Sequence, residues 1–204
     1  MIDFWISIGS TYSYLSVMRL KMVEESSGVA FRWRPFSVRA IMIEQNNIPF
    51  VGKPVKMAYM WRDIGRRARS YGFAPRLPAP YPLKEFDLAN KIAIVAETEG
   101  WCADYVRAAY RHWFEQGQEP GSEPGVSEVL HELGRDTARV IASARTGRIE
   151  ERYQRHTEEA KALGVFGSPT FVVDGEVFWG DDRLGDAVDW ARANVGPAAA
   201  SGVG

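Results

Sequence analysis

The sequence predicts an α/β fold in which two strand-containing pieces are separated by a long helical segment. Three observations predict it. The chain opens with a strand, a tight turn and a helix; a second strand ends at Pro35; and a β-hairpin pattern lies near the other end. Between Ser37 and about Leu163, helical periods dominate and no comparable strand pattern occurs. The predicted order is therefore βαβ, a series of helices, and ββα.

The opening unit is predicted from apolar periodicity and its stops. Residues 2 to 8 (IDFWISI) are rich in β-branched and aromatic types and end at Gly9, which is typical of a mostly buried strand. A helical period follows and stops at Gly28. Residues 29 to 36 alternate apolar and basic side chains, as a second strand does. These two strands should be parallel with a right-handed crossover.

The middle of the chain is predicted to be helical. Residues 53 to 71 have a basic amphipathic pattern that favours a solvated helix. Residues 75 to 82 are predicted to form a proline-rich loop. Further helices are expected at about residues 88 to 99, 105 to 116, 127 to 146 and 148 to 163.

The closing unit is a hairpin and a helix. Strand patterns at 170 to 173 and 176 to 179 flank an Asp-Gly turn, which is a strong hairpin signal, and a helix follows from Leu184 to Val195. The βαβ and ββα pieces are the halves of a thioredoxin-like domain. We therefore expect residues 1 to 36 and 164 to 195 to form that domain, residues 37 to 163 to be an all-helical insertion, and residues 196 to 204 to be a disordered tail.

Composition limits the function. The 204 residues fit one domain, or a small domain with an insertion, and 25 basic against 26 acidic residues give a net charge of -1. This balance gives no reason to expect a nucleic acid or a membrane as a partner.

Because Cys102 is the single cysteine, an intramolecular disulfide, a Cys-x-x-Cys pair and a multi-cysteine zinc site are excluded. The three histidines lack metal-ligand spacing, so no metal is expected. With no signal peptide or membrane span evident, a cytoplasmic location is expected.

Ser10 is the first candidate for chemistry. It follows the first strand and precedes the first helix, where unpaired backbone N–H groups favour an anion. It can serve as an ordinary helix cap, and it can also donate to a thiolate and lower the thiol pKa. The chain needs no cysteine of its own if the thiolate belongs to a ligand.

Further candidates lie near the other end of the chain. Ser168-Pro169 precedes the hairpin at the place where thioredoxin-like folds hold a cis peptide, and the exposed backbone there can pair with an extended peptide. Asp181 and Asp182 open the last helix, either as caps or as partners for a charged ligand end. Asn47 and Lys56, taken singly, are ordinary surface residues, and they are candidates only in combination with these groups. Cys102 is expected to be a buried structural residue.

Three segments together resemble a known family. IGSTYSYL, NNIPFVGKPVKMAYMWRDIGRRA and LGVFGSPTFVVDGEVFWGDDRL are similar, in the same order, to 2-hydroxychromene-2-carboxylate isomerases, which belong with the kappa-class glutathione transferases. The resemblance covers most of residues 1 to 195. It implies a thioredoxin-like homodimer with a helical insertion that binds reduced glutathione and a small aromatic substrate in aromatic compound degradation.

The resemblance also implies roles for individual residues. Ser10 matches the serine that activates the glutathione sulfur, and Tyr12 and Tyr81 are expected at the aromatic substrate. The other glutathione-contacting positions are Asn47, Lys56, Ser168, Pro169, Asp181 and Asp182. The chain departs from the family pattern at Thr11, where a proline is usual, at Ile43, where a lysine is frequent, and in the segment YPLKEF around Tyr81.

Four functions follow as alternatives. The first is a glutathione-dependent cis-trans isomerase of 2-hydroxychromene-2-carboxylate or a related aromatic oxo-acid, in which Ser10 stabilises the thiolate for reversible addition. The second is a kappa-like transferase that releases a conjugate. The third, a disulfide oxidoreductase, is suggested by fold alone and lacks its cysteine pair. The fourth is a glutathione or peptide binder without turnover.

Overall fold

A computed structural model of the chain describes residues 1–47, 49–50 and 52–194; the tail predicted to be disordered, 196–204, and Val195 lie outside the described residues. Within that part, four strands form one sheet in the order β2-β1-β3-β4. They are β1 (Ile2–Ile6), β2 (Phe31–Pro35), β3 (Thr170–Val173) and β4 (Glu176–Trp179). β1 pairs with β2 in parallel and with β3 antiparallel, which confirms the predicted thioredoxin-like α/β class.

The sheet follows the sequence pattern strand by strand. β1 is central and largely buried, and the Phe4 ring stacks on Phe171 of β3 with centroids 5.2 Å apart. On β2 the apolar residues face inward while Arg32 faces solvent. β3 and β4 are joined through Asp174 and Gly175 with φ of 49° and 88°, the left-handed values that a two-residue type I′ turn requires.

Two helices belong to the sheet-forming pieces. α1 (Ser13–Ser27) joins β1 to β2 and ends at Gly28, which has a φ of 72° and donates its N–H to Glu24 O. α9 (Leu184–Asn194) closes the described chain and packs on β3. A short 3₁₀ turn, Asp181–Arg183, leads into α9.

The remaining helices lie between β2 and β3 in the chain. They are α2 (Val38–Glu44), α3 (Pro54–Ser70), α4 (Phe86–Thr98), α5 (Cys102–Arg111), α6 (Gly125–Glu132), α7 (Thr137–Ala144) and α8 (Gly147–Ala162). α5 continues into a π-helical turn, His112–Gln116. No helix in the described part of the chain is long and apolar enough to span a bilayer.

One predicted helix is wrong in detail. Residues 127 to 146 form two helices, α6 and α7, because Asp136 caps a new helix by accepting from Arg139 N at 2.9 Å. Gly134, with a left-handed φ of 64°, donates its N–H to His131 O at 2.9 Å and follows the end of α6.

The helical segment packs directly on the sheet. α4 and α8 both contact β2, and α1 contacts α5. α4 is buried over most of its length, from Phe86 to Ala96. This contact brings polar side chains of α4 and α5 to the turn that follows β1.

Candidate active site at the turn after the first strand

The turn between β1 and α1 holds Ser10 in a fixed backbone conformation. Ser10 N donates to Ser7 O at 3.1 Å, and Gly9 has a φ of 120°. A Cβ on Gly9 would lie 2.6 Å from the Phe86 ring, so the turn needs glycine there. α1 begins only at Ser13, and the residue before it, Tyr12, makes no side-chain cap hydrogen bond. Ser10 is therefore not the helix cap that the sequence left as one alternative.

The structure brings Ser10 and Ser168 together from opposite ends of the chain. Ser10 Oγ donates to Ser168 O at 2.5 Å, and the Ser168–Pro169 peptide is cis. Ser168 Oγ in turn accepts from Ser7 N at 3.0 Å and lies 3.0 Å from Ser13 Oγ. Pro169 O accepts from Gly180 N at 2.9 Å. Ser10 and Ser168 therefore lie together, but Ser168 is buried, and its carbonyl accepts from Ser10, so the exposed backbone expected there from the sequence is not found.

Two buried side chains of the helical segment hold the same turn. Asn90 on α4 accepts from Ile8 N at 2.8 Å and donates to Ile8 O at 2.8 Å, as a neighbouring strand would. The Tyr110 hydroxyl on α5 lies 2.9 Å from Ser10 O and 3.2 Å from Ser7 O and donates one hydrogen to this pair. Sequence reasoning missed both residues; the one available signal was an asparagine within the apolar run of α4.

We expect Tyr110→Phe to reduce activity more than stability. Loss of the hydroxyl leaves Ser10 O without this donor and should lower the free energy of unfolding by about 1 kcal/mol. Tyr105→Phe is a matched control, because Tyr105 is equally buried on α5 and donates to Ala89 O on α4 at 3.1 Å and not to a carbonyl of the turn. Urea unfolding should show similar losses for both variants, whereas turnover should fall only for Tyr110→Phe. Equal turnover in the two variants would contradict a role for Tyr110 in placing Ser10.

Asp181 has a different environment from the one expected. Its side chain is fully buried, and its oxygens accept from Arg19 and Arg67, each at 2.5 Å, and from Ser16 Oγ at 3.1 Å. Arg19 also lies over the Tyr71 ring, 3.9 Å from its centroid. Because both oxygens are already paired, Asp181 joins α1, α3 and the start of α9 and does not offer a free acceptor to a ligand.

Asp182 has a more open environment than Asp181. Its side chain is 53% exposed, and it pairs with Arg183 at 3.0 Å across the surface. No side-chain cap hydrogen bond is formed by the residue before the 3₁₀ turn, Gly180. Asp182 is therefore the carboxylate at this point that remains accessible to a charged ligand end.

Asn47 and Lys56 lie on the surface, and Lys56 is near an aromatic ring. Both are exposed; Asn47 N donates to Met42 O at 2.8 Å, and Lys56, in the first turn of α3, has its Nζ 5.6 Å from the Phe50 ring centroid. The structure gives no direct contact between either residue and Ser10. Their placement in the site stays a prediction.

Tyr81 belongs to what we call the aromatic cluster, Phe50, Trp61 and Tyr81. The Tyr81 ring lies edge-on to both others, with centroids 6.1 Å apart in each case. Trp61 is 6.2 Å from Phe114, which is itself 6.1 Å from Tyr110. Burial raises the pKa of Tyr81. The cluster is half-buried and connects through packed rings to the residue that holds Ser10.

Tyr12 lies between the turn and α3. Its hydroxyl donates to Asp63 Oδ2 at 3.1 Å, and Thr11 Oγ1 lies 2.9 Å from Met60 Sδ on the same helix. Burial, followed by the charge of Asp63, raises the pKa of Tyr12, so its hydroxyl stays protonated at neutral pH. Tyr12 is thus a half-buried hydroxyl two residues beyond Ser10.

Among the described residues, the turn carries no cysteine, and no group of side chains is arranged to bind a metal ion. Cys102 is buried in α5, where burial raises its thiol pKa, as expected for a structural cysteine. Within the described ranges, no three His, Cys, Asp or Glu side chains are grouped to hold a metal ion.

Comparison with known proteins agrees with this geometry. The model of the DSBA-like thioredoxin domain family matches residues 1–189. The chain is 26% identical over 185 residues to a 2-hydroxychromene-2-carboxylate isomerase of Sphingobium xenophagum, covering 90% of this chain and 93% of that one. It is 23% identical over 197 residues to glutathione S-transferase kappa 1 of Caenorhabditis elegans, covering 90% and 87%. A solved 2-hydroxychromene-2-carboxylate isomerase superposes with a TM-score of 0.83 at 27% identity, covering 94% of each chain. The resemblance predicted from three segments is confirmed.

Proposed function

The chain belongs to the DsbA-like thioredoxin domain family, and from that premise we propose that it is a glutathione-dependent isomerase. Its substrate would be 2-hydroxychromene-2-carboxylate or a related aromatic oxo-acid, the class named by its isomerase relatives. The observation that carries the proposal is the pairing of the Ser10 hydroxyl with the backbone carbonyl of Ser168 at the turn after β1. A hydroxyl donor stands there in place of a redox cysteine.

The residues present fit reduced glutathione. The thiolate needs a donor, for which we propose the Ser10 hydroxyl, and the extended peptide needs a backbone partner, for which we propose Ser168; in the structure these two groups are hydrogen-bonded to each other. The exposed carboxylate of Asp182 suits an ammonium group, and the exposed ammonium of Lys56 suits a carboxylate. These four groups match the four kinds of polar group in a γ-glutamyl-cysteinyl-glycine chain.

Glutathione, when bound, would supply the nucleophilic thiolate that the turn itself lacks. Ser10 would donate to the sulfur and hold its pKa below the free value of about 8.5. α1 begins at Ser13, and the positive end of its dipole favours the same negative charge. Tyr110 and Asn90 keep the turn in place while Ser10 makes this contact.

The aromatic cluster is the proposed surface for the second substrate. Its three rings offer flat, partly exposed area, and aromatic rings pair favourably in offset or edge-on arrangements. Lys56, proposed above for a carboxylate of glutathione, lies next to Phe50, so the two proposed binding surfaces adjoin there. Tyr12 is proposed to contact the same substrate; its hydroxyl donates to Asp63, so its oxygen is left to accept from a ligand.

The experiment is turnover of 2-hydroxychromene-2-carboxylate with and without reduced glutathione. We expect a rate that depends on glutathione while the glutathione concentration stays constant, since an isomerase regenerates it. Binding of glutathione is measured separately by calorimetry. Binding without any turnover of this substrate at saturating glutathione would refute the isomerase and leave the binding site standing.

A kappa-class-like transferase is the second candidate, favoured by the similarity to glutathione S-transferase kappa 1. It would use the same site and consume glutathione in forming conjugates. Titration of free thiol during reaction with generic electrophiles separates the two activities. A disulfide oxidoreductase is disfavoured, because Ser10-Thr11-Tyr12-Ser13 stands where a cysteine pair would be needed.

Two further features complete the proposal. A homodimer is expected from the resemblance, and sedimentation velocity would measure it. A cytoplasmic location is proposed because glutathione maintains reduced thiols in that compartment.

A further inference from the structure

Arg39, on α2, is exposed, and within the described ranges no carboxylate pairs with it. Its guanidinium lies over the Phe86 ring, with Cζ 4.2 Å from the ring centroid. One of its nitrogens, Nη2, makes a long contact of 3.5 Å with Leu83 O. An arginine carries five N–H donors, so most of the donors of Arg39 remain available to a ligand.

Phe86 places this cation next to the turn after β1. A Cβ on Gly9 would lie 2.6 Å from the Phe86 ring, so the ring packs directly against the backbone that precedes Ser10. Arg39 and Gly9 therefore contact the same aromatic ring. Leu83, whose carbonyl faces Arg39, lies on the same side, since its Cδ1 would be 3.8 Å from that Cβ.

Arg39 also lies within electrostatic reach of the aromatic cluster. Burial raises the pKa of Tyr81, and the positive charge of Arg39 acts in the opposite direction. Arg39 is the one basic side chain of α2, and Ile43, one turn later, is apolar and 59% exposed. A single positive charge on α2 thus acts on both the turn and Tyr81.

The proposed substrate brings a negative charge that needs a partner. An aromatic oxo-acid carries a carboxylate, and Lys56, the basic residue next to Phe50, is proposed above for glutathione. The guanidinium fork of an arginine matches a carboxylate with two parallel N–H donors. The contact of Arg39 with the Phe86 ring favours one place for that fork before any ligand binds.

We propose that Arg39 binds the carboxylate of the aromatic substrate and so selects acids over uncharged aromatic compounds. The acid group lies on the guanidinium beside Phe86, and the aromatic ring of the substrate extends toward Tyr81. The reactive carbons then lie next to the turn that holds Ser10. This inference rests on the proposed function and names the residue that decides its substrate class.

The test compares benzoylformate, a simple aromatic oxo-acid, with its uncharged methyl ester. Each Kd is measured by calorimetry with S-methylglutathione present, which occupies the glutathione site without supplying a thiol. We expect the unaltered protein to prefer the acid. Arg39→Gln should raise the Kd of the acid about tenfold, the usual effect of losing one charge-assisted hydrogen bond, and leave the Kd of the ester unchanged.

Two further variants and a control accompany Arg39→Gln. Arg39→Met keeps an unbranched stem against Phe86 without the charge, so it should behave as Arg39→Gln does. Arg39→Lys keeps the charge but not the planar fork, so it should restore part of the affinity for the acid. Arg192→Gln is the matched control, because Arg192 is exposed on α9, and it should leave both Kd values unchanged.

The possible results have separate meanings. An unchanged Kd for the acid in the uncharged variants would overturn the proposal. Equal losses for acid and ester would also overturn it, because the side chain would then act on structure and not on charge, as would absence of benzoylformate binding to the unaltered protein. If S-methylglutathione does not bind while the affinity for the acid still depends on Arg39, the glutathione-dependent isomerase is refuted and the Arg39 site stands.

Discussion

Ser10→Ala is expected to lower glutathione-dependent turnover on the order of 100-fold, the usual effect of removing one donor from a developing or resident anion. The thiol pKa of bound glutathione should rise toward its free value of about 8.5, because the donor to the charged form is lost. Glutathione binding should persist through Ser168 O and Asp182. The measurements are steady-state kinetics and the pH dependence of thiolate absorbance on the same preparation.

Ser26→Ala is the matched control for this variant. Ser26 lies near the other end of α1, is exposed, and donates only to Val23 O at 3.2 Å. It should leave both turnover and the thiol pKa unchanged. A Ser10→Ala protein with unaltered turnover would remove Ser10 from the mechanism, whatever its effect on stability.

Asp181→Asn is expected to lower the free energy of unfolding by about 3 kcal/mol, near the low end for breaking a buried ion pair, since both arginines retain some access to water. The carboxylate is fully buried, whereas the side chains of Arg19 and Arg67 are 15% and 25% exposed. An amide in its place can accept from one arginine at a time and leaves the other charge without a counter-ion. Urea unfolding measures the loss.

Asp182→Asn provides the adjacent comparison. Its side chain is exposed and pairs only with an exposed arginine, so little change in the free energy of unfolding is expected. Its effect should appear instead as weaker glutathione binding in calorimetry. A contrary result would be weaker glutathione binding at unchanged stability for Asp181→Asn, and a lower free energy of unfolding at unchanged binding for Asp182→Asn. The ligand-binding role would then belong to Asp181 and the structural role to Asp182.

Much of the fold could be predicted because its signals are local. The alternation of β2, the Asp-Gly turn between β3 and β4, and Gly28 after α1 each act within a few residues. The break between α6 and α7 was missed although Gly134 and Asp136 carry the usual signals for a helix end and a helix start. Periodicity continues across that break, because both helices bury one face in the same core.

From the sequence, only the candidate-site residues that lie at a turn between two predicted elements could be identified. Ser10 and Ser168 follow from their positions in the fold, but the burial that separates Asp181 from Asp182 depends on Arg67, more than 110 residues away in sequence. Arg67 itself belongs to a helix whose charges suggested a solvated surface. Asn90 and Tyr110 look like ordinary helical residues until α4 and α5 are packed against the turn.

The hydrogen bonds of Asn90 and Tyr110 bear on how the molecule denatures. A helical segment that touched the sheet only through apolar faces could separate from it and leave each part internally complete. Here the backbone groups of Ile8 find their partners on α4, and the carbonyl of Ser10 finds its partner on α5. Neither part is fully hydrogen-bonded without the other, so both should melt in one cooperative calorimetric transition, and excising residues 37 to 163 should not yield a free-standing sheet.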